Sequence, residues 1–284
     1  MRKPSSTALH PGAQFLPPNA RHQTAASQDR SAAARGRYIR NQMHGVPGFL
    51  TTLDAMLMNC ILDWQHQRGI AGNLCEIGVH HGRSFLLLAL ARQDGEVALG
   101  IDLFEDDEFN ATGIHSERNG AVQRHAQRLG IPLTPREIFK RSSLDLKPAD
   151  ILDRAGGAVR FFSIDGGHRY RHVANDLPLA ASCMDDRGII AVDDFFNPDW
   201  PEVSLATMEF LRRRQDCVPF LVGANKIYLC RPAVADLLRH DIVANRPRGS
   251  RADSLAEFFE SEYAVVSISL LARLWERLRQ KLRA

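Results

Sequence analysis

The chain contains the run Leu74-Cys75-Glu76-Ile77-Gly78-Val79-His80-His81-Gly82-Arg83-Ser84, followed by the apolar segment Phe85 to Ala91. A short apolar segment, a glycine turn and a second apolar segment predict a strand, a tight loop and the start of a helix. Such a loop presents backbone N–H groups and a helix N-terminus to a ligand. Its spacing, Gly-x-x-x-Gly-x-Ser, differs from the dinucleotide pattern Gly-x-Gly-x-x-Gly and therefore argues against NAD or FAD.

Strands and helices alternate on both sides of this loop, and the last two strands form a hairpin across the turn Gly223-Ala224-Asn225. This alternation predicts an α/β fold with an open, doubly wound, mostly parallel seven-stranded sheet and helices on both faces. The predicted strands are residues 73–77, 97–103, 134–139, 159–164, 188–192, 217–222 and 226–230, and the predicted helices lie within 38–69, 84–91, 117–129, 149–155, 171–184 and 203–213.

Composition limits the class of protein. At 284 residues, 44% of them hydrophobic, the chain can form one sizeable domain with extensions. A net charge of +3 is too small to indicate nucleic acid as a partner. The five cysteines include no C-x-x-C pair, so we expect neither a disulfide framework nor a thiolate metal site, and a cytoplasmic protein fits best. No apolar run reaches the roughly 18 residues of a membrane span.

The two ends of the chain differ from the predicted domain at 37–232. Residues 1–36 have few bulky apolar side chains and are expected to be disordered, although an Arg/Ser/Ala-rich leader also resembles a transit peptide. Residues 233–284 are expected to be helical and to end in a basic amphipathic helix. That helix could contact a membrane surface, a partner or a second copy of the chain, or dock on its own domain.

Candidate ligand-binding residues lie where the predicted strands end, which is the edge at which open α/β sheets bind ligands. Asp102 follows Gly82 by twenty residues and ends the next strand, the position at which a doubly wound fold presents an acid to a ribose. Ser143 follows the third strand. The acidic stretch 104–116 between them is either a lid over the site or a solvated insertion.

Carboxylates also end the fourth and fifth strands, as Asp165 and the pair Asp193-Asp194. If these strands are neighbours, about 4.8 Å apart, the three side chains can converge on one hard cation such as Mg²⁺. Without a cation they would repel each other and bind protons. The alternative is that they cap the following loops. His168 lies three residues after Asp165 and could act as a general base or support that carboxylate.

Together these motifs resemble the class I S-adenosylmethionine-dependent methyltransferases. The resemblance is closest to the metal-dependent sugar O-methyltransferases of the macrocin and mycinamicin type and their cephalosporin-hydroxylase-like relatives, and it covers about residues 45–230. The matching stretches are Glu76 to Ser84, Ile101-Asp102, Ile164-Asp165-Gly166-Gly167-His168-Arg169-Tyr170 and Gly188-Ile189-Ile190-Ala191-Val192-Asp193-Asp194-Phe195.

The resemblance implies a Rossmann-like fold and roles for individual residues. Glu76, Gly78, Gly82 and Ser84 would bind the methionine part of S-adenosylmethionine, Asp102 its ribose, and Ser143 would lie near its adenine. Asp165, Asp193 and Asp194 would bind Mg²⁺, and His168 and Asp165 would be catalytic. The position before Ser143, acidic in many relatives, is Ser142 in this chain.

The function expected from the sequence is Mg²⁺-dependent O-methylation of a hydroxyl on a sugar, glycan or natural product. Two vicinal oxygens of the acceptor would chelate the cation, which lowers the pKa of the hydroxyl and directs it at the methyl group. Two alternatives remain. One is a relative of the same fold that catalyses a different tailoring step, and the other is a cofactor-binding assembly protein recruited through its C-terminal helix.

Overall fold

The computed structural model describes residues 30–104, 120–258 and 261–268, without the side chains of residues 253–258 and 268. The helices are α1 Thr52–Gln67, α2 Arg83–Leu90, α3 Ala121–Leu129, α4 Pro148–Ala155, α5 Tyr170–Cys183, α6 Pro201–Arg213 and α7 Pro232–Ala244. The strands are β1 Asn73–Ile77, β2 Ala98–Asp102, β3 Ile138–Lys140, β4 Val159–Ile164, β5 Met184–Val192, β6 Val218–Gly223, β7 Lys226–Cys230, β8 Ser250–Phe258 and β9 Ser261–Ile268.

One sheet organises the fold, in the strand order β3-β2-β1-β4-β5-β7-β6-β9-β8. Strands β1 to β5 pair in parallel, and β7 is antiparallel to both β5 and β6. The chain therefore reverses its direction of winding at β1 and β4, and the carboxyl ends of these two strands lie side by side. The predicted α/β class, the parallel sheet and the order of elements are confirmed.

Helices cover both faces of the sheet and create two apolar cores. On one face α1, α2 and α7 pack against residues such as Leu74 and Phe161. On the other, α4, α5 and α6 pack against Cys75 and Phe162. Successive residues of each central strand thus face opposite cores, which is why these strands are nearly continuous apolar runs.

The C-terminal region differs from the prediction. The sheet has nine strands instead of seven, because β8 and β9 form an antiparallel hairpin and β9 pairs in parallel with β6. Alternating small and β-branched residues such as Ala264 and Val266, both buried, allow this segment to extend the sheet where helices were expected. The predicted basic amphipathic helix, which spans Leu271 to Arg283, lies outside the described residues.

The N-terminal leader also differs where it is described. Residues 30–37 are helical instead of disordered, and the helical path continues through Tyr38–Gln42 and Met43–Gly45. The Arg35 side chain is buried, pairs with Asp63 and donates to Asn59 of α1 at 2.7 Å, so a charged residue anchors this weakly apolar segment. Residues 1–29 and 105–119 lie outside the described residues, and with them all of the acidic stretch 104–116 except Phe104. No helix in the described part of the chain combines the length and apolarity needed to cross a bilayer.

Candidate active site

The glycine loop after β1 is built by backbone geometry. Gly78 and Gly82 have φ of 85° and 94°, in the left-handed region that favours glycine, and Gly82 forms the N-cap of α2. A Cβ atom at Gly78 would lie 1.9 Å from the carbonyl oxygen of Asp165. The predicted cofactor loop is therefore packed directly against the start of the loop that carries Asp165 and His168.

Asp102, at the end of β2, holds the glycine loop in place. Its Oδ2 accepts hydrogen bonds from the backbone N–H groups of Val79 and His80 at 2.7 and 2.8 Å, and its Oδ1 accepts one from Phe104 at 2.8 Å. A carboxylate has about four acceptor positions, so roughly one remains for a ligand. The predicted neighbourhood of Asp102 is found, and the residue has a loop-anchoring role that the sequence did not indicate.

Glu76 lies beneath this loop with a fully buried carboxyl group. Neither carboxyl oxygen has a hydrogen-bond partner among the described residues. Burial raises the pKa of Glu76 to about 8, although the nearby hydroxyls of Ser84 and Ser163 oppose the shift. A buried acid in this state is the kind of polar group for which a bound ligand can supply the missing hydrogen-bond donor. Ser84 is itself buried in the first turn of α2.

Ser143 begins a short 3-10 turn after β3, where the side chain of Ser142 accepts from the N–H of Leu144 at 3.3 Å. The carbonyl of Ser143 accepts from Asn175 of α5 at 3.0 Å. Next to Asn175, burial raises the pKa of Asp176 to about 6. Ser143 thus occupies a loop at the expected sheet edge, packed on α5.

Three side chains converge beside the glycine loop at the ends of β4 and β5. Three possible metal-ligand atoms, one each from Asp165, His168 and Asp194, lie within 4.8 Å of one another. His168 Nε2 is 2.8 Å from Asp194 Oδ2 and 4.0 Å from Asp165 Oδ1. The ring of Trp200 stacks on His168 with centroids 4.5 Å apart and 19° between the planes, which fixes the imidazole's orientation.

The two acids of this cluster have opposite pKa shifts. Burial and the neighbouring charge of Asp193 raise the pKa of Asp165 well above its usual value. Burial alone would also raise the pKa of Asp194, but hydrogen bonds from His168, Asn197 and Asn225 lower it to about 2. The two carboxyls that face this imidazole therefore differ in how readily each binds a proton.

Asp193, the third predicted carboxylate, faces the interior. Its Oδ2 is 2.9 Å from Nζ of Lys226, a side chain that is only 1% exposed. Burial disfavours the ammonium, but the charges of Asp193, Asp165 and Asp54 outweigh it and raise the pKa of Lys226 above its ordinary value. The Asn225 amide donates to both Asp193 Oδ1 and Asp194 Oδ1, at 3.0 and 2.7 Å.

Sequence reasoning missed Lys226, Asn225 and Trp200 as members of the site. A signal was present for Lys226, since it opens the otherwise apolar strand Lys226-Ile227-Tyr228-Leu229-Cys230 directly after a turn. Nothing in the local pattern distinguishes Trp200, because its contact with His168 depends on the path of the chain after β5.

Comparison with known proteins supports this reading of the fold. Residues 75–195 match the model of a family described as a methyltransferase domain. No curated protein matches the sequence. The solved structure of the O-methyltransferase NovP is similar over 73% of this chain and 99% of its own length, with a TM-score of 0.52 and 15% identity. CalS11, a TDP-rhamnose 3'-O-methyltransferase of calicheamicin biosynthesis, is similar over 76% of this chain and 96% of its own, at 17% identity and a TM-score of 0.45.

Residues 75–195 therefore match a methyltransferase domain, and the chain has the fold of NovP. The family match begins within β1 and ends just after β5, so it includes both the glycine loop and the carboxylate cluster. The class predicted from the sequence is confirmed.

Proposed function

We propose that the chain is an S-adenosylmethionine-dependent O-methyltransferase whose chemistry is assisted by a divalent cation. The observation that carries the proposal is the packing of Gly78 against the Asp165 carbonyl, which joins the cofactor loop to a cluster of two carboxyls and an imidazole. A methyl donor bound on the loop would thereby lie beside groups that bind and deprotonate a hydroxyl.

The residues around the glycine loop fit the methionine part of such a cofactor. The methionine end carries an ammonium group, and Glu76 supplies two buried carboxyl oxygens that, among the described residues, have only the hydroxyls of Ser84 and Ser163 as nearby polar groups that favour its ionised form by hydrogen bonding. Gly78 and Gly82 add no side chain at the two left-handed positions of the loop, and Asp102 retains acceptor capacity for a ribose hydroxyl. When bound, S-adenosylmethionine supplies an electrophilic methyl group on a sulfonium.

The carboxylate cluster fits a divalent cation. Asp165 and Asp194 offer hard oxygen ligands. Burial and the charge of Asp193 raise the pKa of Asp165 although the charge of Lys226 opposes the shift, so a cation at this cluster would relieve the crowding of the acids. When bound, the cation would lower the pKa of an acceptor hydroxyl and hold two vicinal oxygens. Asp165 and Asp194 would orient the acceptor at the end of the sheet nearest the glycine loop.

His168 is the remaining polar group of the proposed chemistry. Trp200 and Asp194 fix its ring, so its nitrogens are held at defined positions next to the acceptor site. An imidazole there can accept the proton of the acceptor hydroxyl or donate a lone pair to the cation. In the first role the protonated imidazole would carry a positive charge next to the acceptor oxygen as that oxygen becomes negative. In the second role the cation would carry that charge.

Vicinal oxygens are the acceptor feature that this geometry favours, and sugars or glycosylated natural products carry them. Acceptor recognition would involve the loops at the same edge, where Phe49 and Phe196 are 70% and 56% exposed. Phe49 lies 6.0 Å from the ring of His80 in the glycine loop. Such exposed aromatic rings beside a polar centre suit the apolar faces of a sugar or an aglycone.

The test uses the purified full chain. Calorimetry is expected to show binding of S-adenosylhomocysteine. Labelled S-adenosylmethionine with nucleotide sugars, glycosides and catechols is expected to give a product heavier by one methylene, with the methyl group on oxygen by NMR. Activity is expected to fall on chelation with EDTA and to return with Mg²⁺ or Mn²⁺. Failure to bind S-adenosylhomocysteine contradicts the cofactor assignment, and EDTA-resistant turnover contradicts the cation.

A further inference from the structure

The pairing of Lys226 with Asp193 changes the expected metal ligands. We infer that Lys226 acts as an internal counter-ion that keeps Asp193 out of the coordination sphere, so that a divalent cation at this edge is bound by Asp165, His168 and Asp194. The inference rests on the proposed function and deepens it, because it specifies which donors the site uses.

Asp193 already has partners for both oxygens. Oδ2 faces the Lys226 ammonium at 2.9 Å, and Oδ1 accepts from Asn225 Nδ2 and from the backbone N–H of Asp194, both at 3.0 Å. The Lys226 side chain is 1% exposed and the Asp193 side chain 7%. Separating a buried pair leaves an uncompensated charge in the interior, which is strongly unfavourable. A cation that took Asp193 as a ligand would also have to approach a fixed ammonium.

The backbone directs the two adjacent acids to different places. Asp194 has φ of 57°, in the left-handed region, where a non-glycine residue needs the support of its surroundings. That support comes from Asn197 and Asn225, whose amides donate to Asp194 Oδ1, each at 2.7 Å. Asp194 Oδ2 is thereby left pointing at His168, while Asp193 remains with Lys226.

The three remaining candidate metal ligands are accessible to solvent. The side chains of Asp165, His168 and Asp194 are 26%, 29% and 11% exposed, and their donor atoms are mutually within 4.8 Å. Two carboxylates and one imidazole differ from an all-carboxylate set in their metal preference. Imidazole nitrogen favours transition metals, so Mn²⁺ or Co²⁺ should bind more tightly than Mg²⁺.

The test is Mn²⁺ binding to the full chain without cofactor or acceptor, measured from the EPR signal of free Mn²⁺. His168→Asn is expected to weaken binding by at least about tenfold, since even outer partners of metal ligands are worth that much. The double variant Asp193→Asn/Lys226→Met removes both charges together and is expected to change the affinity by less than about threefold, because its net charge is unchanged.

The reverse pattern overturns the inference: loss of Mn²⁺ in the double variant with retention in His168→Asn. Should the double variant fail to fold by circular dichroism, pulsed EPR of Mn²⁺ on the unaltered chain decides. A nitrogen hyperfine coupling from the imidazole supports the inference, and its absence from a bound ion overturns it. An unaltered chain that binds no Mn²⁺ overturns it as well, while methyl transfer, followed separately, reports on the proposed function.

Discussion

The glycine loop and the carboxylate cluster are adjacent, but they are built by different means. The loop is shaped by backbone geometry, namely left-handed glycines, a helix N-terminus and two N–H groups bound to Asp102. The cluster is shaped by side chains from separate segments, which pair Lys226 with Asp193 and His168 with Asp194. A change in the loop should therefore act on stability and cofactor binding, and a change in the cluster on chemistry and cation binding.

The largest expected effect is that of Gly78→Ala on stability. The new Cβ would lie 1.9 Å from the Asp165 carbonyl oxygen, a backbone atom that cannot move without disturbing β4. We expect the free energy of unfolding to fall by roughly 4 kcal/mol or more, measured by urea denaturation. Gly95→Ala is the matched control, since Gly95 has nearly the same φ, 84°, and nothing within 4 Å of its Cβ position.

Because Gly95→Ala introduces only the left-handed strain, it should cost about 1–2 kcal/mol. Equal losses at the two positions would show that the contact between the loop and the Asp165 carbonyl does not hold the two halves of the site together.

The second prediction separates chemistry from cofactor binding. His168→Gln removes the imidazole between Asp165 and Asp194, and turnover of an accepted substrate should fall by about a hundredfold or more. The dissociation constant of S-adenosylhomocysteine should change by less than about threefold, because His168 belongs to the other half of the site. The control is His240→Gln, whose side chain is 81% exposed on α7. A parallel loss of cofactor affinity would contradict the division.

The same contrast explains how far the sequence could be read. The spacing of Gly78, Gly82 and Ser84 encodes the loop locally, and the match of β1 and β4 to the predicted ranges follows from uninterrupted apolar runs. Asp165 and Asp194 were found because strand ends share one edge of a parallel sheet. Lys226 was missed because its pairing depends on the antiparallel placement of β7 beside β5, which brings residues 33 positions apart in sequence together.

The C-terminal hairpin was missed for a related reason. Its two strands are stabilised by pairing with β6 and with each other, and a segment of mixed polarity such as 250–258 carries little strand pattern of its own. The N-terminal helical segment likewise depends on a charged contact, between Arg35 and Asp63, that composition does not reveal. Both errors arise where tertiary contacts outweigh local propensity.

The third prediction concerns Asp102, whose carboxylate accepts hydrogen bonds from the backbone of the glycine loop. Asp102→Asn keeps the size of the side chain but turns one end into a donor facing the N–H groups of Phe104 or of the loop. We expect the affinity for S-adenosylhomocysteine to fall by about tenfold by calorimetry, since charge-assisted hydrogen bonds are about twice as strong as neutral ones. Mn²⁺ affinity should not change.

Asp150→Asn is the control, because Asp150 also accepts from a backbone N–H, that of Lys147 at 2.8 Å, at the start of α4 away from both halves. If both variants bind S-adenosylhomocysteine like the unaltered chain, Asp102 does not position the loop for the cofactor.

The last prediction, which is the smallest when expressed per pH unit, is a pH dependence of stability from Glu76. Burial raises the pKa of this acid from 4.5 to about 8, so the folded chain keeps a proton that the unfolded chain releases. Its contribution to stability is fully present below pH 4.5 and is lost as the pH rises to about 8. Glu76→Gln is a neutral mimic of the protonated acid and cannot ionise. Between pH 5 and 8 the variant should therefore lose less stability than the unaltered chain, by up to about 1.4 kcal/mol per pH unit.

Burial also raises the pKa of Asp54 to about 7, so the stability of both the unaltered chain and Glu76→Gln keeps part of its pH dependence. The quantity to measure by urea denaturation is therefore the difference between the two curves of stability against pH. Parallel curves would mean that Glu76 is already ionised in the folded chain and has a donor. Addition of S-adenosylhomocysteine tests this further. If its ammonium pairs with ionised Glu76, binding to the unaltered chain should release a proton near pH 7, and binding to Glu76→Gln should not. The buried acid would then belong to the cofactor half of the site by its charge as well as by its place beneath the loop.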